Sequence, residues 1–446
     1  MATIGAANPF FHRTPVRDPD YFFGRQYELQ NLCAVVRNGQ SVAVIGPRRI
    51  GKSSLLWQIV HTLMTDIAPT LPYCAVYISG EAWQTQTSNA LYAGLWQALL
   101  MTMRAYALAA NLPPGDSETD ELDFSTFMRN LRLVTSTGIQ VVFLLDEFDA
   151  LSRNRHLNEF FFSALRSLVA PLGIVYVTAS TRPLLELTYA QQSALSSPFF
   201  NIFLPHHLEL LSEQEAVGLL HGIAALGKLE MNAPQQQLLL DLAGPHPCFL
   251  QIAGYHYWEA LQAGMAYSLE QLQTAIYAEA APLWAYQWRH LTSDEQRALM
   301  LLATDTPLSP ARLARLRLAC LVQMTQGRAV PLSPLLASFV RQQAVYQILH
   351  VGPILIDQAT ERAWLQGDAL SLTPQDYRLL LGLASTAGYP LSPAELATHL
   401  WPEDAASPNQ DRLKTAVNSL RNKLGPAHRD LIQYYNGGYR LAQTHQ

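Results

Sequence analysis

Hydrophobic and polar positions change their rhythm three times along this chain. In the first half, short and almost continuous apolar runs recur: Ser41–Gly46 (SVAVIG), Tyr73–Ser79 (YCAVYIS), Gln140–Asp146 (QVVFLLD) and Gly173–Ser180 (GIVYVTAS). Runs without alternation suit central strands of a parallel sheet covered on both faces. The longer segments between them carry helical spacing, so an α/β layer arrangement is expected.

From about His206 the strand pattern stops. Ser212 with Glu215, and Thr292 with Glu295, form capping-box signals that open helices, and helical spacing runs to about Tyr286. A short helical stretch and GRAVPLSPLLASFVRQQ follow, the length of a small winged helix ending near Ala344. The last hundred residues alternate and turn like a small antiparallel sheet, then give three helical segments. Thr373-Pro374 and Ser392-Pro393 each pair an N-cap with proline at the first helical position. LIQYYNGGYRLA closes the chain as a hairpin with Asn-Gly at its turn. The stretch Leu112–Asp123 reads as a polar surface loop.

Composition narrows the class. The 446 residues are 49% hydrophobic and 15% charged, with a net charge of -5, which fits a folded chain and places any nucleic-acid surface locally. Cys33, Cys74, Cys248 and Cys320 are scattered and read as buried thiols of a reducing compartment, without disulfides or zinc. The first residues lack a signal-peptide pattern, and the apolar window Leu91–Ala110 is interrupted by Gln97 and Arg104. A cytoplasmic protein without membrane association is expected.

Gly46, Gly51, Lys52 and Ser53 complete the pattern G-x-x-x-x-G-K-[ST]. Pro47, Arg48, Arg49 and Ile50 fill the loop, and Ser54 continues into the helix. The glycines let backbone N–H groups close on phosphate, the lysine reaches the β/γ-phosphates, and the Ser53 hydroxyl binds Mg2+. The helix beginning there turns its positive end toward the same anion. Downstream, an apolar run ends in Asp146 and Glu147. The aspartate there suits Mg2+, and the glutamate suits a base that orients or deprotonates water. A further strand ends in Ser180-Thr181-Arg182, where Arg182 is either a γ-phosphate sensor or a plain surface arginine.

The stretches FFGRQYEL, GPRRIGKSSLL, FLLDEFD, STR and GPHPCFL follow the order and spacing of STAND-type P-loop ATPases, relatives of AAA+ proteins. The chain resembles that family over about Asn8–Ala344. The resemblance implies that Gly24 and Arg25 sit by the adenine and that Pro247, in a lid motif, closes over the base. It also implies that a small winged helix at Arg289–Ala344 packs on the nucleotide domain at rest. The lid motif reads Pro245-His246-Pro247 here, with proline where the family has glycine.

Near the C-terminus, Leu413, Ala416, Val417, Leu420 and Leu424 share one helical stripe. The opposite face holds Arg412, Lys414, Thr415, Asn418, Ser419, Arg421, Asn422 and Lys423, which suits either a solvated face or a DNA reader. Over about Ile348–Ala442 the sequence resembles the OmpR-type winged-helix family, through Leu420-Arg421, Lys423-Leu424 and Gly438-Tyr439-Arg440. That likeness implies that the helix Asp411–Leu424 enters the major groove and that Tyr435 and Arg440 lie in the wing. Tyr435-Asn436 replaces the usual Arg-Gly pair of the wing.

The organisation expected is an N-terminal extension (1–20), a P-loop ATPase domain (21–205), a helical lid (206–286), a small winged helix (287–344) and an α+β OmpR-type winged helix (345–446). The function expected is an ATP-dependent switch that regulates transcription. It would be a slow ATPase using ATP/ADP and Mg2+ and catalysed through Glu147, Lys52 and Arg182. Double-stranded DNA, self-assembly on activation and an unknown protein or ligand input are the expected partners. The alternatives are an AAA+ initiator or remodeller, or an immune-type sensor whose winged helix binds a partner or invader DNA.

Overall fold

The computed structural model describes residues 7–10, 13–65, 72–108, 120–189, 198–262, 268–346, 348–358, 361–386, 388–401 and 410–442. Most of the loop expected at 112–123 lies outside the described residues. The chain divides into two compact units: 1–283 with 313–335, and 284–312 with 336–446. The winged helix expected at 287–344 is thereby shared between them.

In the first unit, five strands form one sheet: β1 (Ser41–Ile45), β2 (Tyr73–Ser79), β3 (Gln140–Asp146), β4 (Val175–Ser180) and β5 (Phe203–His207). Their order is β2-β3-β4-β1-β5, and all pairs are parallel. Side chains alternate between faces along each strand. Ala43, Ile45, Val76, Ile78, Phe143 and Leu145 join one core with helices Ser88–Ala105, Phe124–Ser136 and Glu159–Ser167. Val42, Val44, Val142, Leu144, Val175 and Val177 join a second core with helices Gln26–Arg37 and Lys52–Thr65. Burial on both sides is why these strands lack alternation in sequence. The sequence pattern missed β5. It is an edge strand in which Phe203 alone is buried and Pro205 removes a donor, both of which an edge tolerates.

Helices Glu213–Leu226, Ala233–Ala243 and Pro247–Gln262 follow, and the Ser212–Glu215 capping box is formed. A hairpin of β6 (Val322–Thr325) and β7 (Arg328–Pro331) completes this unit.

In the second unit, β8 (Ile348–Val351), β9 (Ile354–Asp357), β10 (Arg362–Leu365) and β11 (Asp368–Ala369) make an antiparallel sheet in the order β11-β10-β9-β8. Helices Pro374–Ser385, Pro393–Leu400 and Gln410–Leu424 pack with it over one apolar core. Thr373 and Ser392 cap the first two, each with proline in the first turn. The wing is β12 (Ile432–Tyr435) and β13 (Gly438–Leu441), joined through Asn436 and Gly437 at positive φ. That is the geometry a two-residue Asn-Gly turn supplies.

All four cysteines are free and buried. Burial pushes the Cys74, Cys248 and Cys320 thiols up to about 12, which keeps them protonated and unreactive at neutral pH. Among the described residues, no helix is long and apolar enough to cross a membrane.

Candidate functional site

The loop from Gly46 to Gly51 leaves β1 and enters helix Lys52–Thr65. Arg49 (φ 68°) and Gly51 (φ 105°) both take positive φ, turning successive backbone N–H groups into one concavity. A Cβ at Gly51 would meet no protein atom within 4 Å, so the concavity is open to a ligand. Lys52 Nζ donates to the Gly46 and Pro47 carbonyls at 2.8 and 3.0 Å, across the mouth of the loop. Desolvation pulls its ammonium down to about 8, while Asp149 and Asp146 pull it back up, so it is a cation at neutral pH. Ile50 is buried, and Arg48 and Arg49 are exposed at the rim. Ser53 and Ser54 open the helix, and Ser54 Oγ accepts the Val16 N–H at 2.9 Å.

The acidic pair sits at the end of β3, with β4 between it and the P-loop strand. Asp146 is buried, and its Oδ1 accepts the Glu147 N–H at 2.9 Å. Tyr77 Oη donates to its Oδ2 at 2.6 Å. Glu147 takes a left-handed backbone (φ 52°, ψ 43°), and Ser79 Oγ donates to its Oε2 at 3.0 Å. Desolvation raises the Glu147 carboxyl above its usual range, against the Ser79 hydrogen bond, and nearby Glu81 and Asp146 push the same way. Next to it, Gly80 admits no side chain: a Cβ there would lie 2.7 Å from the Glu147 carbonyl oxygen and 2.9 Å from that of Asp146.

Asp149 links this turn to β4. Thr181 donates to its carboxylate twice, through N at 2.8 Å and Oγ1 at 2.6 Å. Arg182 follows with an exposed side chain. Tyr77, Ser79, Gly80 and Asp149 were not singled out from the sequence. Of these only Asp149 carries a local sequence signal, the acidic spacing of DEFD; the rest depend on strand neighbours distant in the chain.

Gly24 adopts φ 83° and leads into buried Arg25. The Arg25 guanidinium pairs with Glu28 at 2.8 Å and donates to the Glu209 and Ile50 carbonyls at 2.6 and 3.4 Å, so it braces the P-loop. Pro247 begins helix Pro247–Gln262. Just before it, Gly244 (φ 69°) runs against the β7 end: a Cβ there would lie 2.2 Å from the Leu332 carbonyl oxygen. His246 is fully buried with neither ring nitrogen hydrogen-bonded among the described residues, and Arg25 Nε, Glu28 Oε2 and His206 Nε2 are likewise unpartnered. These orphaned atoms near the P-loop give a ligand's polar edge something to meet.

Burial, with the Arg25 charge adding, pulls the His246 imidazole down to about 3 from 6.5. Between those values the unfolded chain binds a proton that the folded chain refuses. Stability therefore falls as pH drops through that window, by about 1.4 kcal/mol per unit at most. In urea unfolding of the full chain, His246→Leu is expected to flatten the acid limb and gain about 2 kcal/mol at pH 5. Parallel limbs for the two proteins would assign the acid sensitivity to another group.

The arrangement fits a nucleotide's phosphates. Among the described residues no group of three His, Cys, Asp or Glu is placed to hold a metal ion by itself.

The second candidate surface is on helix Gln410–Leu424 and the wing. Arg412, Lys414, Thr415, Asn418 and Asn422 are exposed. The Arg412 guanidinium lies 4.3 Å from the Trp401 ring centroid, Lys414 reaches Asp411 at 3.7 Å, and Thr415 Oγ1 donates to the Asp411 carbonyl at 2.8 Å. Their neighbours are turned inward. Arg421 donates to the Ile432 carbonyl at 2.7 Å, Ser419 Oγ donates to Asp376 at 3.0 Å, and Lys423 forms an ion pair with buried Asp376. In the wing, Tyr434 and Tyr435 are exposed, and Arg440 lies 4.2 Å over the Tyr435 ring while donating to Gln433 Oε1 at 2.8 Å.

Residues 122–308 match the family model for Novel STAND NTPase 2, beginning downstream of the P-loop. Residues 367–441 match that for Transcriptional regulatory protein, C terminal. The chain is 32% identical over 130 residues to the response regulator protein PmrA of Pseudomonas aeruginosa, covering 28% of this chain and 49% of that protein. It is 29% identical over 98 residues to the transcriptional regulatory protein BasR of Escherichia coli, covering 22% and 43%. The chain thus spans less than half the length of these curated relatives. A Walker-type ATPase of Pyrococcus abyssi shares the fold at a TM-score of 0.55 and 16% identity, over 75% of this chain and 99% of that one.

Proposed function

With a STAND-type P-loop NTPase region and an OmpR-type winged helix in one chain, we propose that this protein is a nucleotide-operated switch controlling transcription. The observation that carries it is a division of labour on one helix. Arg421, Ser419 and Lys423 hold the winged helix together, while Arg412, Lys414, Thr415, Asn418 and Asn422 face outward with the chemistry of phosphate and base contacts.

ATP would occupy the P-loop, its phosphates held by the loop's N–H groups and Lys52, with Mg2+ held by Ser53 and Asp146. The bound metal supplies charge neutralisation on the phosphates. Glu147 contributes the oxygen that takes a proton from water, kept in place by Ser79. Arg25 and the lid around Pro247 flank the base. Arg182, at the exposed end of β4, is the phosphate sensor in this reading.

Nucleotide at a thousand times its Kd stabilises the bound form by about 4 kcal/mol. Driving a switch from 1:99 to 99:1 takes about 5.5 kcal/mol. At that saturation nucleotide alone falls short, and a second input, a ligand, a protein or a further copy of the chain, would supply the difference.

Genome-wide DNA capture with wild type and Lys52→Ala tests the reading. Discrete promoter sites that depend on Lys52 are expected; broad occupancy would favour a remodelling ATPase. On duplex DNA, combined Arg412→Ala and Lys414→Ala is expected to weaken binding and reduce the salt slope by about 2, with the unfolding midpoint unchanged. Unaltered affinity and slope would remove this face from the DNA interface.

A further inference from the structure

The aspartate beside the P-loop is gripped on one oxygen from outside the nucleotide motifs. Its two oxygens each have a fixed donor, the Glu147 N–H on Oδ1 and the Tyr77 hydroxyl on Oδ2. Tyr77 is itself clamped, its ring stacked on Trp57 with centroids 4.3 Å apart and planes 25° from parallel. The Arg17 guanidinium lies 4.7 Å from the Trp57 ring centroid. Arg17 belongs to a stretch fastened along the same helix, since Gln58 Nε2 donates to the Val16 and Arg17 carbonyls at 3.3 and 3.1 Å.

We propose that Tyr77 is a positioning residue for metal binding, and that Trp57 and Arg17 hold it in place. The stack fixes the plane of the Asp146 carboxylate and so sets how tightly Mg2+ is held with the nucleotide. This inference rests on the reading of the P-loop as an ATP–Mg2+ site.

A carboxylate that can rotate offers its lone pairs in many directions. One donor on each oxygen leaves a single orientation, and the phenol-to-carboxylate bond is charge-assisted and short. Partners of this kind, one shell outside a metal, are worth roughly 10–100-fold in metal affinity. Arg17 and Trp57 act one step further out and are expected to contribute less.

Full-length Tyr77→Phe is the informative variant, because the phenyl ring keeps its stack on Trp57 and loses only the hydroxyl. Binding of trinitrophenyl-ATP is followed by fluorescence without metal and during Mg2+ titration. Metal-free affinity is expected to match wild type, while the half-saturating Mg2+ concentration rises roughly 10–100-fold. Trp57→Leu and Arg17→Ala are expected to shift it the same way by a smaller factor. Asp146→Asn serves as the reference and is expected to abolish the Mg2+ effect.

If Tyr77→Phe responds to Mg2+ like wild type while Asp146→Asn does not, the positioning role is overturned and the nucleotide site stands. If Asp146→Asn keeps the full Mg2+ effect, the assignment of Asp146 as a metal ligand fails instead. Weakened metal-free binding in Tyr77→Phe would mean a general defect of the fold and would also overturn the proposal.

Discussion

Glu147→Gln is expected to slow ATP hydrolysis by about 10²–10⁴-fold while nucleotide binding stays within a few-fold of wild type. Glutamine matches glutamate in shape and still accepts from Ser79 Oγ, so the left-handed turn at φ 52° and its packing on Gly80 persist. What is lost is the basic oxygen. Desolvation raises the Glu147 carboxyl and the Ser79 bond restrains that rise, which suits it to the role of base proposed for it. Phosphate release under saturating nucleotide, with equilibrium binding measured on the same sample, separates the two effects. Hydrolysis at the wild-type rate would assign the base elsewhere; a matched loss of binding would make Glu147 a structural residue.

The second large effect is expected in the other unit. Asp376→Ala should destabilise the C-terminal winged helix by about 2–3 kcal/mol, less than for a fully buried ion pair because Lys423 keeps 29% of its surface in water. Asp376 is only 5% exposed and serves as a hub. It completes the capping box with Thr373 and receives Ser419 and Lys423 from the helix Gln410–Leu424. Burial alone would raise its carboxyl, but the bonds from Lys423, Thr373 and Ser419 outweigh burial and hold it below the ordinary range. The stabilisation is therefore present above the unfolded value of 3.8 and is lost as pH falls through the lower folded one. Hydrogen exchange on the full chain reads this directly, through protection in Pro374–Ser385 and Gln410–Leu424. Replacing Asp411 supplies the contrast, since it is 92% exposed in its pair with Lys414 and its loss should cost far less protection than that of Asp376. Equal protection in wild type and Asp376→Ala would falsify the hub.

Much of the P-loop site could be read from sequence because its chemistry fixes local spacing. Gly46, Gly51, Lys52 and Ser53 lie within one turn and one helix start, and Asp146-Glu147 end one apolar run. Parallel strands were legible for a related reason: two covered faces demand continuous apolar runs. β5 was not legible, because an edge strand with one buried residue and a proline has no such demand. The supporting contacts were hidden by distance along the chain. Tyr77 and Asp146 are 69 residues apart, and Ser79 and Glu147 are 68 apart. Only the parallel register of β2 on β3, which sets Ser79 opposite Asp146, brings them together. On the helix Gln410–Leu424, periodicity separated an apolar stripe from a polar face. It could not divide that face into residues turned to solvent and residues spent on Asp376 and Ile432, because those partners belong to other elements.

The close approach of Gly244 to the Leu332 carbonyl bears on how this chain can vary. No room exists there for even a methyl group, and the positive φ disfavours every larger residue independently. Leu332 is constrained twice: its carbonyl makes the contact, and its buried side chain also lies against Gly244, with Cδ1 and Cγ 2.7 and 2.9 Å from a Cβ added there, so exchange at Leu332 is limited to apolar residues that fit the same space. A saturation library over both positions should therefore return glycine alone at 244 and a hydrophobic spectrum at 332. Drift in the lid and in the β6–β7 hairpin is coupled through this point, and divergent copies of the protein must keep the two segments' backbones in register while their surfaces change.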